Sequence, residues 1–169
     1  MRTTNLKSLQ TVGVVAAVGF AGILVAGAGK KTNAQSPRLA GDPLEGTWQV
    51  AVTQYDCETG AQVGGPFQSL LTFARGGTLT ETTANPMFYP SERGPGHGVW
   101  REIEGGYSAS SVAFITLNGA LTTTQTITQK ITMRDDPNRF SSQAQVQFFN
   151  PAGSLIRSGC AAAVGERFH

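Results

Sequence analysis

The sequence predicts an all-β fold, an eight-stranded antiparallel up-and-down barrel that follows an N-terminal signal peptide. Three observations predict it. From Glu45 onward apolar and polar residues alternate, and no stretch carries the 3.6-residue period of a helix. Turn chemistry recurs about every 10 to 15 residues, as a strand meander requires. The β-rich runs are even in number, so the meander can close on itself and leave no unpaired edge. A two-sheet sandwich is the alternative that the same pattern allows. The length of 169 residues suits one core, and 14% charged with 40% hydrophobic residues excludes a disordered chain or a coiled coil.

Taken in chain order, Arg2 and Lys7 precede an uncharged apolar run from Thr11 to Gly29, which Lys30, Lys31 and the small-residue site Thr32-Asn33-Ala34 follow. Residues 1–34 therefore read as a secretory signal peptide, with an uncleaved membrane anchor as the alternative. The abundant Gly and Ala make the run a weak anchor, and no Cys stands directly after it to take a lipid. Export to the periplasm or the extracellular space is the expected destination, with membrane contact only through the leader if it is retained. Residues 35–44 form an N-terminal arm and 45–169 the barrel domain. An even pair of cysteines, Cys57 and Cys160, in an oxidising space predicts one disulfide. The net charge of +2 belongs to the leader: four of the 13 basic residues and none of the 11 acids lie in the first 31 positions, which leaves the rest near −2. An electrostatic nucleic-acid footprint is excluded.

The predicted strands are Thr47 to Tyr55, Phe67 to Phe73, Thr78 to Thr83, Gly98 to Glu104, Tyr107 to Leu117, Leu121 to Arg134, Phe140 to Phe149 and Leu155 to Phe168. Arg75-Gly76-Gly77, Gly105-Gly106, Asn118-Gly119, Asp135-Asp136-Pro137-Asn138 and Asn150-Pro151-Ala152-Gly153 separate them with turn residues, so most connections are hairpins. Two links are longer, Asp56 to Pro66 and Ala84 to His97. The second holds Met87, Phe88 and Tyr89 with three prolines, and long loops at a barrel mouth are where function concentrates.

Gly46-Thr47-Trp48 at the start of the first strand resembles the Gly-x-Trp signature of the lipocalins and the wider calycin barrels. The runs Leu70-Leu71-Thr72-Phe73, Gly76 to Glu81 and Gly96 to Trp100 resemble those of small exported bacterial lipocalin-like proteins whose activity is not established. The resemblance implies that Trp48 plugs the closed end of the barrel and that Arg167, from the last strand, packs across its ring. The Thr-Asp-Tyr motif of lipocalins is missing, since Asp135 and Asp136 stand in a plain turn. With only Trp48 and Trp100, the chain lacks the several tryptophans of an avidin-like biotin site.

Closure pairs the first and last strands antiparallel. Setting Cys57 opposite Cys160 puts Trp48 to Val52 beside Gly165 to His169. Alternation then turns Trp48, Val50 and Val52 inward together with Gly159, Ala161, Ala163, Gly165 and Arg167, a lane of small residues that leaves room for a cavity. Ile156, Val164 and Phe168 face out. On the sixth strand Gln125, Ile127, Gln129 and Ile131 share one face, a mixed lining suited to an amphiphile. Arg101, if inward, is the natural partner of an acidic head group; the alternative is an outward, solvated Arg101. Phe88 and Tyr89 are expected as an apolar lid over the mouth.

Other chemistry finds little support. His97 and His169 are the only histidines, too few with two oxidised cysteines for a zinc site. No Gly-x-Ser-x-Gly elbow occurs, and His97, with Glu81 or Glu102 as its carboxylate, is the one acid-base candidate. The expected role is therefore a cofactor-free binding module for a small apolar or amphipathic molecule. A secreted protein-interaction barrel such as a periplasmic protease inhibitor, which would use the arm Gln35 to Leu44, and a calycin-like cyclase or isomerase are the alternatives.

Overall fold

The computed structural model describes residues 41–169. The expected leader and residues 35–40 of the arm lie outside the described residues. Nine strands form: β1 (Gly46–Tyr55), β2 (Gln62–Ala74), β3 (Thr78–Thr83), β4 (Glu92–Arg93), β5 (Gly96–Ile103), β6 (Gly106–Leu117), β7 (Ala120–Met133), β8 (Arg139–Phe149) and β9 (Leu155–Arg167). All pairings are antiparallel, and the eight long strands close into a barrel through β1–β9 and β6–β7. The sandwich alternative is thereby excluded.

The two long links are where the strand list needs correcting. β2 starts five residues before the expected Phe67, so Gly64-Gly65-Pro66, expected in the long link Asp56 to Pro66, lies within the strand beside a register shift between Val52 and Gln54. Gly and Pro are tolerated at such an irregularity because the ladder is already interrupted there. The second link contains a single 3-10 turn, Pro86–Phe88, and then β4. β4 continues the line of β5 along β6, after a break at Pro95. Two residues are too few to show alternation, so no periodic signal marks them.

β1 and β9 pair Trp48 with Arg167 and Val50 with Gly165, two residues away from the register that direct opposition of the cysteines predicts. Cys160 faces Tyr55 instead, and Cys57 lies in the turn beyond the end of β1. The disulfide still forms, with the two Cα atoms 5.2 Å apart across 103 residues of chain. An even slip leaves every side chain on its face, so Ala161, Ala163 and Gly165 stay inward while Ile156, Val164 and Phe168 are exposed.

One end of the barrel is solid. Trp48 meets Phe140 edge-on at 5.0 Å between ring centroids, Phe73 packs on Trp100 at 6.0 Å and Trp100 on Tyr107 at 5.8 Å. Leu44, Leu79 and Ile131 fill the remainder of this core. Leu44 belongs to the core although its sequence position falls in the arm, and its carbonyl accepts the Trp48 indole N–H at 2.9 Å. The Arg167 guanidinium lies 4.3 Å from the Trp48 ring centroid and donates to the carbonyl of Glu45 at 2.7 Å and to Asn138 Oδ1 at 3.1 Å. Gly165 is a packing requirement here, because an added Cβ would run into the Phe140 ring. At the same end, burial and a hydrogen bond to the Asp42 carboxylate push the Tyr107 hydroxyl up to about 12.

Candidate functional site

The other half of the barrel is not filled. On β3, Leu79 and Glu81 alternate inward between the exposed Thr80 and Thr82, which sets a carboxylate inside the barrel. On β4, Arg93 pairs with the buried Ile115 of β6 and so shares its inward face. The two meet in an ion pair, Arg93 Nη2 with Glu81 Oε1, whose side chains are only 2% and 7% exposed respectively. Ser111 Oγ of β6 donates to the same Glu81 oxygen at 3.3 Å. Arg93 Nε donates to Gln125 Oε1 of β7 at 2.5 Å, and Nη1 to the Gly94 carbonyl at 3.2 Å. Four strands thus contribute to one buried polar cluster. Gly96 is part of the design: a Cβ there would collide with the Glu81 carboxylate.

Beside this cluster lies a chamber of about 60 Å³, walled by Val50, Val52, Leu71, Ile127, Ala144 and Ala163 among others. Thr83 also lines it, and Thr83 Oγ1 is buried without a hydrogen-bond partner. Above the chamber a mouth basin of about 390 Å³ is bounded by Tyr55, Met87, Phe148, Arg157 and the Cys57–Cys160 disulfide. Gln54, Asn85, Phe88 and Val146 line both spaces. Asn85 fixes the position of Phe88: its side chain caps the 3-10 turn by accepting the Met87 N–H at 3.0 Å. The Phe88 ring then stands between chamber and basin, 6.0 Å from the Arg93 guanidinium. At the rim, the Asp56 carboxylate accepts from the backbone and hydroxyl of Thr59 and from the Glu58 N–H, which hold it below the usual carboxylate range.

The sequence-derived site residues divide between inside and outside. Gln125 is buried on Arg93, Gln129 lines the chamber, and Phe88 covers it. Tyr89, expected beside Phe88 in the lid, is 87% exposed and lines neither space. Arg101 is exposed on the outer wall, because Trp100 takes the inward position on β5, and the interior cation is Arg93 instead. His97 is likewise exposed and forms no unit with Glu81. Among the described residues no group of three or more His, Cys, Asp or Glu side chains lies close enough to hold a metal ion, and no helix is long and apolar enough to cross a membrane.

Sequence reasoning missed Arg93, Ser111 and Thr83. For Glu81 and Thr83 a signal existed, since both continue the inward parity of Leu79. Arg93 had none, being in an aperiodic link. No protein-family model, curated protein or solved structure matches the chain.

Proposed function

We propose that the protein is an exported, lipocalin-like barrel that binds a small apolar or amphipathic molecule, with its polar end in the chamber beside Arg93 and Gln125 and its body across the mouth basin. The observation that carries this reading is the buried Glu81–Arg93–Gln125 cluster in the wall of a chamber that Val50, Val52, Leu71, Ile127 and Val146 also line. A buried ion pair is a poor device for stability, because desolvating both charges offsets most of their attraction. A few polar groups fixed beside a cavity are what orient a ligand in a recognition site. The volumes support an end-on ligand: about 60 Å³ holds a single small group, whereas the basin of about 390 Å³ takes the remainder. The leader-like residues 1–34 and the disulfide support export.

The test uses the uncharged fluorophore N-phenylnaphthylamine with the full chain and with Ala161→Phe, which fills the lane where Ala161 faces Ala144. Binding should be saturable and fall at least tenfold in the variant, about 1.4 kcal/mol, with the melting temperature retained. Equal binding by both proteins would refute an interior site. A barrel cyclase or isomerase is the second reading, favoured by the same cluster, but Arg93 and Ser111 already occupy Glu81 Oε1. Ligand binding is therefore the better reading.

A further inference from the structure

We infer that the chamber selects an electrically neutral ligand whose head group both donates and accepts hydrogen bonds, such as a primary amide or an alcohol, and rejects ionised amphiphiles of the same size. The inference rests on the interior binding site proposed above. Among the described residues, Glu81 and Arg93 are the only charged side chains that line the chamber, and they cancel. The guanidinium is also committed on three sides, to Glu81, to Gln125 and to the Gly94 carbonyl. An entering carboxylate or ammonium would be a third charge in a narrow space with mostly apolar walls, and one without a counter-ion is disfavoured there.

Thr83, two residues along β3 from Glu81, lines the chamber, and its Oγ1 is buried in the wall without a hydrogen-bond partner. A hydroxyl supplies one donor and two acceptor lone pairs, and leaving it unmade inside the barrel is costly. A neutral head that donates and accepts satisfies it without disturbing the ion pair.

Isothermal titration of the full chain at neutral pH with three chains of equal length, hexanamide, hexanoate and hexylammonium, tests the inference. Hexanamide should bind at least about tenfold more tightly than either ion. Glu81→Gln leaves Arg93 uncompensated, so hexanoate should gain at least about tenfold relative to hexanamide. Should that variant fail to fold, Thr83→Val serves: it removes the free hydroxyl from an otherwise unaltered wall and should weaken hexanamide severalfold. Tighter binding of hexanoate than of hexanamide by the unaltered protein, or unchanged hexanamide binding by Thr83→Val, would overturn the neutral-ligand inference and leave the interior site standing. If none of the three binds while N-phenylnaphthylamine does, the inference alone falls. If no probe binds, both fall.

Discussion

The Glu81–Arg93 pair allows a quantitative test of whether the interior cluster exists for stability. Replacing Arg93 by Met keeps most of the side-chain volume but strands the Glu81 carboxylate, 7% exposed, without its cation. Removing one partner of such a pair costs about 3 to 5 kcal/mol, a large part of the 5 to 15 kcal/mol typical of a whole domain. Replacing both, as Glu81→Leu with Arg93→Met, removes the uncompensated charge. The remaining loss comes from Gln125 Oε1 and Ser111 Oγ, whose partners disappear. Each unsatisfied group costs about 1 to 3 kcal/mol if kept dry, less for Gln125, which lines a chamber large enough for water, and less for a Ser111 hydroxyl free to rotate to another acceptor. The double variant is therefore expected about 1 to 2 kcal/mol below the unaltered protein and above the single Arg93→Met variant. Urea unfolding with the disulfide intact measures this, provided the denaturant slope is the same in all variants. A double variant as unstable as Arg93→Met, which means no coupling between the sites, would refute the reasoning. So would an Arg93→Met cost under about 1 kcal/mol, which would place the pair in solvent.

Trp48→Ala should cost about 3 to 5 kcal/mol in the same assay, because it empties the centre of the closed-end aromatic cluster; a cost near zero would place Trp48 outside the core. Reducing Cys57–Cys160 should lower the melting temperature, with an upper limit near 4.7 kcal/mol for a loop of about 100 residues, and free thiols on the native protein would refute the crosslink. Phe88→Ser should weaken binding of N-phenylnaphthylamine about tenfold, whereas Tyr89→Ser should leave it unchanged, since only the Phe88 ring reaches the chamber. Alkaline titration reads the closed end. Between the usual tyrosine value of 10.0 and about 12, the unfolded chain gives up the Tyr107 proton while the barrel keeps it. Stability should therefore fall as pH rises through that window, and Tyr107→Phe should flatten this part of the profile.

The walls of the barrel were legible in the sequence because they obey a period. Trp48 and Val50 alternate with Gln49 and Ala51, Leu79 and Glu81 with Thr80 and Thr82, and every hairpin carries its own turn residues. Parity survives errors of register: the β1–β9 pairing was displaced by two residues, yet Trp48 and Arg167 still met. Direct opposition of the cysteines was the wrong anchor for that register, because the turn that follows Asp56 brings Cys57 back beside β9 from outside the ladder. Arg101 illustrates the limit of face reasoning. Its neighbours Glu102 and Glu104 made either face carry charge, and only the packing of Trp100 against Phe73 and Tyr107 decides which way the strand turns.

The contents of the lumen follow a different logic. The small-residue lane of β9 predicts space, and at the closed end Gly165 yields that space to the Phe140 ring. In the open half, the side chains that reduce the chamber to about 60 Å³ include Phe88 and Arg93, both supplied by the link between β3 and β5. That link carries no periodicity, so neither its inward turn nor its two-residue strand is encoded in a pattern. It is held by individual interactions: the Asn85 cap on Met87, the Gly94 N–H on the Phe114 carbonyl at 2.9 Å, and the ion pair itself. The wall therefore determines that a cavity exists, and the link determines its size, charge and access. Substitutions within residues 84–95 that spare the buried Arg93 should alter binding while leaving the barrel intact, whereas wall substitutions that reverse parity should abolish the fold before any change in specificity is measurable.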